Sequence, residues 1–269
     1  MPVFEWRAED FAALVATCRN GAEYPYIMKY MPRRGRVLEA GCGLARYVAV
    51  LHDQGFRVAG VEWNPDTVAM VRRIRPDLAV LVGDVLALPF ADDSLAGIVS
   101  LGVIEHFTAG PQAALREMRR VLQPGCHAVI TIPVQNTLRR MKRTCGFYRA
   151  KDVLRRLLGR IPPPSREPDA ADLPRLGREC FVWREKGEFF EYRFTRRQFE
   201  AFLTECGFTI VASAPIGQID GLYHDFGPPL VRFHQWRFEV HPFGRLLDRW
   251  LSRVPGFHNH MHMCVVRKD

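Results

Sequence analysis

The stretch VLEAGCGLARY, residues 37–47, constrains the fold of this chain more than any other. An apolar run at Val37 and Leu38 stops at Gly41 and Gly43 and resumes as Leu44, Tyr47, Val48 and Leu51. That is a strand, a tight turn and an amphipathic helix in succession. A helix starting there offers its first N–H groups to an anion. The dinucleotide fingerprint G-x-G-x-x-G needs a small third residue so that helix and strand close around a pyrophosphate, and here Arg46 holds that position. Glu39 stands two residues before Gly41, where a carboxylate suits a cationic ligand better than a diphosphate. The turn therefore points away from nicotinamide and flavin cofactors and toward a sulfonium.

The same alternation continues downstream. FRVAGVEW (56–63), LAVLVGD (78–84), LAGIVSLG (95–102) and HAVITIP (127–133) read as strands, and residues 65–75 and 111–122 as helices between them. Five strands joined by crossover helices predict an α/β doubly wound parallel sheet with its ligand at the carboxyl ends of the strands. TRRQFEAFLTECGF (195–208) predicts one more helix, capped by Thr195 and stopped at Gly207, before two last strands at 208–214 and 262–268. Four regions follow: an N-terminal helical lid segment (1–34), a core (35–133), a basic and Pro-rich insertion (134–194) and a C-terminal part (195–269). The last carries an aromatic insertion at 215–261. Both insertions read as lid or substrate-binding elements.

At 269 residues and 48% hydrophobic content, one sizeable core with insertions is expected. Apolar runs are short and interrupted by charge, which argues against a transmembrane span. Glu5, Arg7, Glu9 and Asp10 lie where a secretory signal needs an apolar centre, so a cytoplasmic location is expected. The seven cysteines form no C-x-x-C pair and suggest buried thiols, not a disulfide framework. Of the net charge of +9, most lies in residues 138–160, with nine Lys or Arg against one Asp. The basicity is a local patch and not a general nucleic-acid surface.

LEAGCG, the acid of VAGVEWNP, GDVLALPFADDSLAGIVSLGVIEHF and ALREMRRVLQPGCHAVITIP, in that order, together resemble a known family. It is the class I S-adenosylmethionine-dependent methyltransferases, in the small-molecule branch close to ubiquinone and menaquinone biosynthesis. The resemblance is strong over residues 35–133 and moderate over 192–214. It implies a seven-stranded Rossmann-like sheet with an antiparallel last strand, and S-adenosylmethionine as cofactor.

The resemblance also implies roles for single residues. Glu39, Gly41 and Gly43 would approach the methionine part of the cofactor, Glu62 would accept from the ribose hydroxyls, and Trp63 would pack on the adenine. Asp84 and the Val85 N–H would meet the adenine edge, although Asp84 is equally suited to cap a helix. Leu101 would be a backbone contact. His106 would act as a base on the acceptor, or else would be a histidine packed at a helix start. His258, His260 and His262 alternate as on one strand face, but no acid or cysteine at ligand spacing joins them, so no metal is assigned.

The fourth strand is followed by SLGVIEHF and not by the Asn/Asp-Pro-Pro-aromatic turn of base amino-methylases, and no Pro-Cys dipeptide occurs. A small-molecule or lipid- or glycan-linked acceptor is therefore expected, methylated on oxygen ahead of carbon or nitrogen, with nucleic acid disfavoured. The alternatives are an RNA methyltransferase using the basic segment and a non-catalytic cofactor-binding protein of the same fold. In the basic segment, Leu154, Leu157 and Leu158 share a helical face beside Arg155 and Arg156. That pattern fits peripheral contact with an anionic membrane surface, or a lid helix with solvated arginines.

Overall fold

A computed structural model describes residues 6–147 and 191–269, and positions 153, 157, 182 and 183 between them. Two short helices, α1 (Asp10–Cys18) and α2 (Tyr24–Tyr30), precede the alternating region. There β1 (Val37–Ala40), α3 (Arg46–Asp53), β2 (Val58–Glu62), α4 (Pro65–Ile74), β3 (Val80–Val82), β4 (Leu95–Leu101), α5 (Gln112–Val121) and β5 (Leu122–Pro133) follow one another. After α6 (Thr137–Thr144) come the short strands β6 (Val182–Trp183) and β7 (Glu191–Tyr192), α7 (Arg196–Glu205) and β8 (Phe208–Ile216). The chain closes with α8 (Gln218–Phe226), a hairpin of β9 (Val231–His234) and β10 (Arg237–Val240), α9 (Pro242–Leu251) and β11 (Met261–Lys268).

Seven strands form one sheet in the order β3-β2-β1-β4-β5-β11-β8. The first five run parallel, and β11 lies antiparallel to both β5 and β8. The doubly wound sheet with an antiparallel last strand is thus present. Its central strands are buried on both faces, as covered parallel sheets require. Leu38, Ile98 and Ile130 pack with Leu115, Met118, Phe199 and Phe202 on one face, and Val37, Val99 and Val129 with Tyr47, Leu51 and Val68 on the other.

Local chemistry sets the helix starts. Asn64 accepts from the Asp66 N–H with Pro65 in the first turn. Thr195 and Gln198 form a reciprocal capping box, so the Thr195 cap stands. β3 is shorter than expected because Leu78 sits in a turn, its N–H donating to the Arg75 carbonyl. The aromatic insertion has a small core of its own around Leu222, Val231 and Leu251. β11 starts at Met261, so His258 and His260 precede it and only His262 is on the strand.

Among the described residues no helix is long and apolar enough to cross a membrane. The proposed amphipathic face at Leu154, Leu157 and Leu158 lies largely outside the described residues. The start of the basic segment is described, and two of its cations are turned inward rather than to an anionic surface. Arg139 is buried, its Nε 3.3 Å from Asp225 Oδ2 and its guanidinium donating to the Val134 carbonyl. Lys142 Nζ lies 3.3 Å from the other Asp225 oxygen and donates to the Asp225 carbonyl.

Candidate active site

Where β1 ends, the chain must turn sharply to start α3. Gly41 and Gly43 take φ of +76° and +51° there, conformations that side chains resist. A Cβ at Gly41 would collide with Val103 and one at Gly43 would crowd Trp6, so neither position has room for a side chain. A cavity, about 320 Å³, is lined by Glu39, Gly41, Gly43, Glu62, Trp63, Val85, Leu101 and His106 among others. These are the sequence-predicted residues except one. Asp84 is exposed at the end of β3, does not line the cavity, and accepts from the Leu86 N–H at 2.9 Å.

Glu62 terminates β2 with 7% of its surface exposed. Its Oε2 accepts from the Gly43 N–H at 2.9 Å and its Oε1 from the Asn64 N–H at 3.0 Å. Each oxygen is fixed by one backbone donor and keeps further acceptor capacity. Glu39 is also buried, its Oε2 accepting from the Val48 N–H at 2.9 Å. Burial pushes its carboxyl up to about 8, against the opposing pull of the Arg46 charge and that N–H. A cationic neighbour would favour the ionised form of this carboxyl.

A second and larger cavity, about 1140 Å³, adjoins the first. Leu14, Arg46, Leu101, Gly102, His106 and Trp236 line both, so the cavities meet at the carboxyl end of β4. Its far wall comes from the aromatic insertion, with Tyr223, Phe233 and Phe238, while Thr131, Glu105, Glu191, Asp220, His224 and His260 supply polar groups. Trp236 stands at the hairpin tip with φ of +62°, its indole N–H donating to Asp10 at 2.8 Å and its ring 6.1 Å from Trp6. The hairpin is thereby tied to the N-terminal segment over the junction.

Sequence reasoning placed the insertion over the ligand but did not name Trp6, Glu105, Glu191 or Asp220. The aromatic composition was the available signal. It was only partly selective, since Phe243 and Trp250 are exposed and outside both linings.

The three histidines of 258–262 go to different partners. His258 Nε2 is 2.8 Å from Asp248, His260 Nδ1 is 3.0 Å from the Arg139 guanidinium, and His262 Nε2 is 2.8 Å from Ser213. Arg139 can only donate, so His260 Nδ1 accepts and Nε2 carries the hydrogen. Burial, and then the Arg139 charge, hold His260 neutral to well below the usual histidine range. Asp220, His224 and His260 bring ligand-type atoms close together. The His224 and His260 rings are stacked at 4.2 Å and 15°, so their in-plane lone pairs run side by side and do not converge on one ion. The trio therefore forms a polar wall of the larger cavity.

This sheet order, the glycine turn against a buried strand-end acid, and the paired cavities define a Rossmann-like transferase fold. Residues 38–130 match the family described as "Methyltransferase domain". Demethylmenaquinone methyltransferase of Beutenbergia cavernae is 38% identical over 96 residues, which is 35% of this chain and 39% of that protein. "Probable tRNA methyltransferase 9B" of Mus musculus is 34% identical over 98 residues, 36% of this chain and 21% of that protein. The chain spans about two fifths of the first curated relatives it matches. A solved S-adenosylmethionine-dependent methyltransferase from Methanosarcina mazei shares the fold, with a TM-score of 0.59 at 16% identity over 91% of this chain and 97% of that one. Residues 38–130 carry the methyltransferase-domain match, within the fold of S-adenosylmethionine-dependent methyltransferases.

Proposed function

We propose that the protein transfers a methyl group from S-adenosylmethionine to a small-molecule or lipid- or glycan-linked acceptor, on oxygen ahead of nitrogen or carbon. Glu62 carries this reading. It is a buried carboxylate at the end of β2, fixed on both oxygens by backbone donors, on the wall of a cavity that opens into a second one. Both oxygens retain lone pairs for a vicinal diol, the group that a ribose presents.

The residues fit the cofactor. Glu62 would hold the ribose hydroxyls, Trp63 would cover the adenine, and the Val85 N–H would meet its edge. The backbone at Gly41 and Gly43, which lines the cavity, and the end of β4 at Leu101 would receive the methionine part, with Glu39 favouring its positive charge. When bound, the cofactor supplies an electrophilic methyl group on sulfur. His106, on the wall of both cavities, would orient the acceptor atom or take its proton. Exclusion of water and alignment across the junction contribute the rest.

The aromatic wall of the larger cavity favours an acceptor with a ring or hydrocarbon body. An RNA acceptor has less support, because Arg139 and Lys142 of the basic segment are committed to Asp225. The exposed Arg140 and Arg143 keep a peripheral contact with an anionic membrane surface within this reading. Incubating the protein with cell extract and methyl-labelled S-adenosylmethionine tests it. Label is expected in organic-extractable or small-molecule fractions, whereas label confined to RNA, or no labelled product, contradicts it.

A further inference from the structure

Glu105 lies in the 3-10 turn Ile104–His106 just beyond β4 and lines the larger cavity with 2% of its surface exposed. Its Oε1 is 3.9 Å from His106 Nε2. Its Oε2 is buried and has no hydrogen-bond partner among the described residues. Leaving such an oxygen unsatisfied is costly, so a native fold that keeps one calls for an explanation. Burial, and then the charge of Glu191, push the Glu105 carboxyl well above the usual carboxylate range. Glu191 lines the same cavity, its Oε1 accepting from Arg193 Nε at 2.9 Å.

Resting on the methyltransferase reading above, we propose that Glu105 Oε2 receives the hydrogen of the acceptor's O–H or N–H. The acceptor head is thereby a hydroxyl or an amine, and a carboxylate head is rejected. As the acceptor atom bonds to the methyl carbon, the carbon–sulfur bond breaks and its electron pair stays on sulfur. The acceptor's hydrogen passes as a proton to the Glu105 carboxylate. The positive charge lost at sulfur and the negative charge lost at Glu105 balance. Positive charge in the adjoining cavity favours the ionised form of Glu105 that this step needs. A carboxylate head would instead add a third acid to Glu105 and Glu191.

Benzylamine and benzoate share a ring and differ in the head group, so titrating each into protein saturated with S-adenosylhomocysteine reads the selection without turnover. Benzylamine is expected to bind at least about tenfold tighter than benzoate, and Glu105→Gln to shrink that ratio at least about fivefold while cofactor-product affinity stays within about twofold. Glu191→Gln, which leaves Glu105 in place, is expected to move the ratio in the same direction by a smaller factor. A ratio near one overturns the assignment. So does a ratio that survives Glu105→Gln and falls in His106→Ala, because His106 would then be the recipient. If S-adenosylhomocysteine itself does not bind, the cofactor reading fails and this proposal with it.

Discussion

The two adjoining cavities are built in different ways. The smaller one is made by segments close in sequence, from the ends of β1, β2 and β4, and its polar contacts are largely backbone groups against Glu39 and Glu62. The larger one is assembled from Glu105, Glu191 and the 216–261 region, and depends on side chains brought together across the chain. Backbone placed by a parallel sheet yields a site that tolerates little variation, because the turn itself fixes its donors. A wall of side chains on an insertion can change its occupant without disturbing that turn.

The sharpest way to break the comparison is to damage the insertion's anchor. Asp225 and Arg139 are each buried, and Arg139 also holds His260. Removing one partner of a buried pair leaves the other uncompensated. Arg139→Ala is therefore expected to lower stability by about 3 kcal/mol in denaturant titration. The folded fraction should keep its S-adenosylhomocysteine affinity within about twofold, because none of these groups lines the smaller cavity. A large loss of that affinity would show that the two regions are one cooperative site.

The next largest effect is that of pH on the smaller cavity. Free Glu39 holds its proton up to about 8, while a cationic ligand favours the ionised form. Affinity for S-adenosylmethionine should therefore rise by up to about tenfold per pH unit as pH approaches that value, then level off. Affinity for the neutral thioether product should rise less. For folding the sign is opposite. With the native value raised above the ordinary one of 4.5, Glu39 favours the fold at low pH and withdraws that contribution as pH climbs from there toward 8. Glu39→Gln should flatten both profiles, which calorimetry and thermal melts at several pH values would read.

A smaller effect is expected at the junction. Trp236 is tied to Asp10 and faces Trp6, and it belongs to both linings. Trp236→Ala should weaken cofactor binding about threefold, mainly through faster dissociation, because it loosens the cover and leaves the glycine turn untouched. Stopped-flow fluorescence would measure the rates.

What the sequence made legible follows the same division. The glycine turn and Glu62 could be read because a strand end, a tight turn and an acid are local signals with fixed spacing. The Thr195 capping box was equally local. Arg139 was read as part of a cationic surface because its partner His260 is 121 positions away, and no periodicity marks that pair. His106 drew attention over its neighbour Glu105, since only the fold reveals that one oxygen of that carboxyl is buried without a hydrogen-bond partner among the described residues. Asp84, at a strand end like Glu62, turned its carboxylate to the Leu86 N–H.

The central claim is that Glu62 and the turn at Gly41 and Gly43 form a site for S-adenosylmethionine. Calorimetric titration of the cofactor into the parent protein and into Glu62→Ala tests it most directly. The account predicts saturable binding to the parent and at least about a tenfold loss in the variant, as the hydrogen bonds to a charged carboxylate vanish. Equal affinity in the two proteins, or none in a folded parent, would contradict it.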